Sequence, residues 1–169
     1  TGKMVLEPRT APDGTRYTDL PRNLGTPRRA IIGDMRNDEN ANVANLQIAF
    51  ISAHNTLVDR AKDYLGSDDG HVAFEHARET LTRLYQWIVW HDFAKRISHP
   101  HIHKLALQKI EPAGAYLPVK WKPGLTHIYS WHESPFMPVE FSVAAYRFGH
   151  TLVRNSYRIN AKSTDPTPI

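Results

Sequence analysis

Apolar residues recur at helical spacing in two long stretches of the chain. The first predicts a helix over about residues 39–65, with Asn37 or Asp38 as its N-cap, Glu39 in its first turn and Gly66 as the residue that ends it. Its expected buried stripe is Leu46, Phe50, Ala53, Leu57 and Ala61. Steps of three and four residues bring these side chains to one face of a helix.

The second stretch predicts a helix over about residues 71–96. Its expected buried stripe is Phe74, Ala77, Leu81, Leu84 and Ile88, widened by Trp87 and Trp90. A third, shorter helix is predicted over about residues 138–154, because Pro138 is well placed in a first turn and an apolar run follows it.

The remaining segments are rich in residues that interrupt helices. Four prolines within residues 1–32 predict an extended loop with at most short strands, for which Lys3–Leu6 is the candidate. Residues 98–138 are predicted to form a long loop. We therefore expect one mainly α domain over residues 1–169, with a helical core over 33–160 and a tail over 161–169. Both ends are expected to be cuts through a longer polypeptide.

Composition narrows the classes of function. The net charge is +4, and the 21 basic residues are spread along the chain, which argues against binding of nucleic acid. The absence of cysteine excludes disulfides, thiolate catalysis, iron–sulfur clusters and thiolate-ligated haem. No apolar run is long enough to span a membrane, and no signal peptide is visible. Secretion and a cytoplasmic location both stay open.

Two local patterns carry candidate chemistry. His150 follows Gly149 inside the third helix, where a glycine costs about 1 kcal/mol relative to alanine. The pair indicates either a packed core histidine or an imidazole that ligates a flat cofactor. Arg36 and Glu39 lie three residues apart at the entrance of the first helix. They form either a solvated cap or a fixed cation that stabilises developing negative charge.

The other histidines have simpler interpretations. His99, His101 and His103 would share one side of an extended strand as a metal cluster, but a surface loop is favoured. His54-Asn55 is expected to be a buried polar pair that bonds to backbone. His91-Asp92 is either a dyad or a pair suited to the dipole at a helix C-terminus.

Three ordered blocks of residues resemble the animal-type haem peroxidase superfamily, in particular its bacterial members. The first is GDMRNDEN at 33–40, which runs without a gap to the His-Asn pair at 54–55. The second is the Ala-Arg pair at 77–78 with QWIV at 86–89. The third extends from MPVEF to YRFGH over 137–150. The resemblance covers most of residues 20–160 and implies a haem-binding, mainly α-helical fold.

The resemblance implies a role for each matching residue. His150 would be the proximal ligand of the iron of haem b, and Arg36 the distal arginine that polarises the peroxide O–O bond. Glu39 falls where mammalian members carry a glutamate esterified to haem, and formation of that ester here stays open. Asn40 stands where one mammalian member has a sulfonium-linked methionine, so that link is excluded. Arg147 is a candidate for binding a haem propionate.

The implied activity is an oxidoreductase that uses hydrogen peroxide to oxidise a small donor or a halide, associated with the response to oxidative stress. The distal base and the calcium-binding loop of the family lie upstream of the matching blocks, so other segments or another chain are expected to supply them. Fatty-acid dioxygenation is an alternative, although Arg147 occupies the position of the radical-forming tyrosine. A non-catalytic haem-binding fragment or subunit is a further alternative.

Overall fold

A computed structural model describes residues 1–110, 120–124, 136–158 and 167–168. The chain divides into two compact units, which are described separately below. One comprises Thr1–Leu84 and Val153–Ile169, and the other comprises Tyr85–Leu152.

The first unit begins with a β-hairpin. Strand β1 (Glu7–Thr10) pairs antiparallel with β2 (Arg16–Asp19). Gly14 adopts a φ of 82° in the turn, and the Asp13 carboxylate accepts a hydrogen bond from the Thr15 amide at 2.9 Å. The expected strand at Lys3–Leu6 is therefore wrong, because this Asp-Gly turn sets the pairing four residues further along.

Helix α1 (Ala41–Leu65) has the length that the sequence predicts. Its N-cap is Asn40, whose side-chain oxygen accepts hydrogen bonds from the amides of Asn42 and Val43, each at 3.1 Å. The expected caps, Asn37 and Asp38, lie instead in a separate 3₁₀ helix over Met35–Asp38. Gly66 has a φ of 59°, which confirms it as the residue that ends α1.

The buried face of α1 is one position away from the predicted stripe. The buried residues are Ile51, His54, Val58 and Ala61, whereas Leu46 is 57% exposed. The predicted stripe is buried at Ala61, partly buried at Phe50, Ala53 and Leu57 and exposed at Leu46, so its centre is in error by about 100° around the helix axis. Its cause is that α1 packs against two different partners, the N-terminal loop and the next helix.

Two clusters form the core of the first unit. Near the start of α1, one cluster joins the helix to the N-terminal loop: Leu20, Ala30 and Ile51, with Met4, Leu6, Ile32, Ala44 and Ile48 packed against them. Near its end, the other joins α1 to α2 (Gly70–Ile88): Val58, Ala61, Ala73 and Ala77, with Leu57 beside them. Three of these four buried side chains are alanines, so little free space remains for a larger group.

Helix α2 continues without a break into a π-helix over Val89–Ala94 and then into α3 (Lys95–Ile97). The helical path therefore has the predicted length, although its hydrogen bonding changes at Val89. Expected burial at Leu84 and Trp87 is wrong, since these side chains are 47% and 57% exposed.

The second unit contains more regular structure than the predicted loop. Helix α4 (Pro100–Ala106) leads into β3 (Leu107–Ile110), which pairs antiparallel with β4 (Lys120–Pro123). The prediction of a loop throughout 98–138 is therefore wrong over these ranges.

Within the predicted tail, β6 (Thr167–Pro168) pairs with β5 (Ser156–Tyr157) of the first unit.

The third helix is present but irregular. A π-helix over Phe141–Ala145 is followed by a 3₁₀ helix over Tyr146–Leu152, and neither contains a buried residue. The prediction of a regular α-helix is wrong here because aromatic and β-branched residues and Gly149 have low helix propensity. Burial that would outweigh those propensities is missing from this segment.

The described residues are thus mainly helical, with three short antiparallel strand pairs. Within the described part of the chain, no helix combines the length and the apolar character that crossing a membrane requires.

The alanine-rich contact between α1 and α2 gives a stability prediction. Ala77 is completely buried, so Ala77→Leu should lower the free energy of unfolding by about 1–3 kcal/mol through overpacking. Urea denaturation followed by circular dichroism measures the change. The matched control is Ala49→Leu on the exposed side of α1, which should change stability by less than about 0.5 kcal/mol. Equal unfolding midpoints for the two variants would contradict this packing.

Candidate functional site

Arg36 lies in the 3₁₀ helix, and its guanidinium is held by the residue that caps that helix. Nε donates to Asp34 Oδ1 at 3.0 Å, and Nη2 donates to Oδ2 at 2.5 Å. Asp34 Oδ1 also accepts the Arg36 backbone N–H at 3.0 Å. These hydrogen bonds from Arg36 lower the pKa of Asp34 to about 2. The Arg36 side chain is nevertheless 79% exposed, so its cation faces solvent from a defined position.

Glu39 follows the 3₁₀ helix directly and is exposed. Asn40, the next residue, caps α1. Glu39 therefore stands just before the amino end of a 25-residue helix, where backbone N–H groups favour negative charge. Arg36 and Glu39 thus lie three residues apart on one short segment, and the Arg36 guanidinium binds Asp34.

His54 and Asn55 lie on the buried side of α1. Asn55 Oδ1 accepts the Met4 N–H at 2.8 Å, and Asn55 Nδ2 donates to the Met4 carbonyl at 2.8 Å. This confirms the expected bonding to backbone for Asn55. His54 is completely buried with its ring edge-on to Phe74 at 4.9 Å, and Nε2 has no hydrogen-bond partner among the described residues.

His150 and Arg147 lie in the 3₁₀ helix of the second unit. A 3₁₀ helix has 3.0 residues per turn, so residues three apart stand one above the other on the same face. Both residues are exposed. A Cβ atom added at Gly149 would meet none of the described atoms within 4 Å. The place that a side chain at position 149 would occupy is therefore open among the described residues.

The remaining histidines make other contacts. His99, His101 and His103 do not lie on an extended strand, because residues 100–106 form α4. The His103 ring stacks on Trp90 at 4.5 Å, and its Nε2 lies 3.0 Å from the Trp90 carbonyl oxygen. Across the described residues, no three His, Asp or Glu side chains are grouped to hold a metal ion.

His91 and Asp92 each contact a different residue of their own helix. The His91 ring stacks on Trp87 at 4.7 Å. The Asp92 carboxylate pairs with Arg96 at 2.5 Å, one turn further along.

An apolar cavity of about 560 Å³ opens beside the N-terminal part of α1. Its lining consists of Lys3, Met4, Val5, Pro21, Ile31, Ile32, Gly33, Gln47 and Ile51. Cavities of this size and character hold small organic molecules. Gly33 directly precedes Asp34, so the cavity adjoins the segment that carries Arg36.

The four predicted site residues divide between the two units. Arg36 and Glu39 belong to the first, and Arg147 and His150 belong to the second. Sequence reasoning missed Asp34 as the partner of Arg36, although an aspartate directly before a helical turn is a recognisable capping signal. It also missed Arg22, which binds Asp38 across 16 residues and has no local signal.

Comparison with known proteins identifies the family to which this chain belongs. The family model of the animal haem peroxidases matches residues 2–168. A peroxidase-like protein of Margaritifera margaritifera is 29% identical over 123 residues, which are 73% of this chain and 14% of that protein. The chorion peroxidase of Aedes aegypti is 24% identical over 138 residues, covering 81% of this chain and 16% of that protein.

The chorion peroxidase of Drosophila melanogaster is 27% identical over 127 residues, covering 75% of this chain and 14% of that protein. The chain thus spans 14–16% of the length of these curated relatives. No solved structure matches it. The mainly helical architecture agrees with the family model, which covers nearly every residue. The chain belongs to the animal haem peroxidase family.

Proposed function

We propose that this chain provides haem-binding and peroxide-activating residues of a haem peroxidase, with His150 as the proximal ligand and Arg36 as the distal arginine. The observation that carries the proposal is the match to the family model over residues 2–168, which includes both residues. The grouping of Arg36 with Glu39, and of Arg147 with His150, gives separate structural support.

The second unit fits a haem on three counts. The His150 side chain is exposed, and a neutral imidazole nitrogen is a common ligand of haem iron. Gly149 leaves the adjacent space open. Arg147 lies one 3₁₀ turn away and offers a cation for a carboxylate such as a propionate. When bound, haem supplies the redox chemistry that couples reduction of hydrogen peroxide to oxidation of a donor.

Arg36 supplies a positive charge that is oriented before any substrate arrives. Asp34 binds two nitrogens of the guanidinium, which fixes the position of this exposed cation. A preorganised cation stabilises negative charge that develops on the departing oxygen. The distal base and a calcium-binding loop are proposed to come from other segments or another chain.

Glu39 is the candidate for a covalent bond to haem, since it is exposed and stands next to Arg36 on the same segment. Asn40 is engaged as the cap of α1 and offers no sulfur for a second link. The proposed cofactor is therefore haem b, with at most one covalent attachment, through Glu39.

The apolar cavity beside Gly33 favours a small organic donor over a halide ion, because its lining is mostly aliphatic. Fatty-acid dioxygenation has weaker support. Arg147 occupies the position of the radical-forming tyrosine, and the neighbouring Tyr146 packs its ring at 5.8 Å from Phe141.

The iron ligand is tested by spectroscopy. The chain mixed with ferric haem should develop the Soret band of a histidine-ligated complex, and His150→Ala should abolish or shift that band. His101→Ala is the matched control, because it removes another exposed histidine of the second unit. An unchanged spectrum in His150→Ala would remove His150 as the ligand.

Turnover separates the candidate functions. The haem complex should oxidise guaiacol with hydrogen peroxide, and Arg36→Gln should slow this reaction about 10²-fold through loss of charge stabilisation. Arg83→Gln, on the exposed face of α2, is the control. Bound haem without turnover would favour the non-catalytic subunit, and oxygen uptake with linoleate would favour the dioxygenase.

The Asp34–Arg36 pair predicts a pH dependence. The pKa of Asp34 falls from its ordinary 3.8 to about 2, so the ionised carboxylate stabilises the folded segment above about pH 4. That contribution is lost as the pH falls through about 2. NMR titration of the carboxyl carbon should show the low midpoint in the native chain and a return towards 3.8 in Arg36→Gln. A native midpoint near 3.8 would mean that the pair does not form in solution.

A further inference from the structure

Arg22 lies in the loop after β2, and two carboxylates hold its guanidinium. Nη1 and Nη2 donate to Asp38 Oδ2 and Oδ1 at 2.8 and 2.9 Å. Nε and Nη2 donate to Asp19 Oδ2 and Oδ1 at 2.8 and 3.1 Å. The three side chains are only 17–21% exposed. This is a largely buried, doubly bidentate ion cluster, unlike the exposed arginine pairs on α2.

Asp38 is the last residue of the 3₁₀ helix that carries Arg36, and Glu39 follows it directly. That helix contains no buried residue, so apolar packing does little to hold it in place. Side-chain hydrogen bonds from this helix to other parts of the unit include the Arg22–Asp38 pair and a neutral bond from Asn37 Nδ2 to Gln47 Oε1 at 2.9 Å. Charge-assisted bidentate bonds are roughly twice as strong as neutral ones.

We propose that Arg22 is a positioning residue for the distal segment, acting through Asp38 to fix Arg36 and Glu39. This inference rests on the proposed function, in which that segment faces the haem. Arg22 itself touches no reacting atom. Its contribution is to keep the short helix at one place at the entrance of α1.

The surrounding contacts explain why an arginine is needed. Arg22 pairs with Ala30 in an antiparallel bridge, and the Ala30 N–H also donates to Asp38 Oδ2 at 3.4 Å. Arg9 adds a second cation 4.0 Å from Asp19, so the charges alternate in sign along the cluster. A lysine at position 22 would keep the charge but lose the planar fork that joins both carboxylates.

The first test measures local order without haem. Hydrogen exchange followed by mass spectrometry compares Arg22→Gln and Arg22→Lys with the native chain. The matched control is Arg78→Gln, which breaks an exposed ion pair on α2 in which Nε and Nη2 of Arg78 both donate to Glu75 Oε2. Amides of residues 31–39 should exchange about tenfold faster in Arg22→Gln than in the native chain, and the increase should be smaller in Arg22→Lys. Removing one partner of a buried charge pair destabilises the segment that the pair holds in place.

Amides of α2 should exchange at the native rate in all three variants. Faster exchange in α2 as well as in 31–39 would overturn the proposal, because Arg22 would then stabilise the whole unit. Equal exchange rates of the amides of residues 31–39 in Arg22→Gln and Arg78→Gln would also overturn the proposal.

The second test reads the position of Arg36 in the ferric haem complex, with fluoride as the probe. Fluoride bound at the iron accepts a hydrogen bond from a distal cation, so Arg22→Gln should weaken fluoride binding about tenfold while leaving the Soret band of the fluoride-free complex unchanged. Arg22→Lys should recover part of the affinity. Native fluoride affinity in Arg22→Gln would overturn the positioning role. Absence of a Soret band in the native chain would instead overturn the proposed function, and this inference with it.

Discussion

The position of the segment at the entrance of α1 depends on one guanidinium, which joins that segment to the end of the hairpin. Arg22 links the end of the hairpin at Asp19 to the entrance of α1 at Asp38, and its backbone pairs with that of Ala30, a residue of the adjoining core cluster. Charged groups that are four-fifths buried must be paired, because an unpaired one would bear its full desolvation cost. The loop, the hairpin and the start of α1 can therefore adopt few other arrangements.

This ion cluster and the apolar contacts have complementary roles. Ile51 packs the start of α1 against the loop, and Ala73 and Ala77 pack against its end. Apolar contacts of this kind are not directional, whereas a bidentate arginine defines both distance and angle. The buried residues thus supply the attraction between α1 and its neighbours. Arg22 and the Asn55–Met4 hydrogen bonds select the register in which the N-terminal residues lie along α1. The segment that carries Arg36 benefits from that register without being buried itself.

The second unit shows what happens to a helix when burial is missing. Residues 139–152 contain no buried side chain and follow π and 3₁₀ geometry instead of a regular α-helix. The 3₁₀ turn nevertheless aligns Arg147 with His150 more closely than an α-helix would, because its period is 3.0 residues. The spacing of this pair in the sequence is therefore useful in either geometry. Both side chains of the pair are exposed.

The amino-acid sequence by itself determined the extent of α1, the extent of the helical path from α2 through α3, the end of α1 at Gly66 and the short spacings within each pair of candidate site residues. These features depend on local periodicity, caps and neighbours within one or two turns. Only the tertiary structure decided which face of α1 is buried, that Asn40 is its cap, and that Arg22 binds Asp38. The face depends on two packing partners at once, and the ion pair joins residues 16 positions apart. Local propensity contains no information about contacts that only folding brings together.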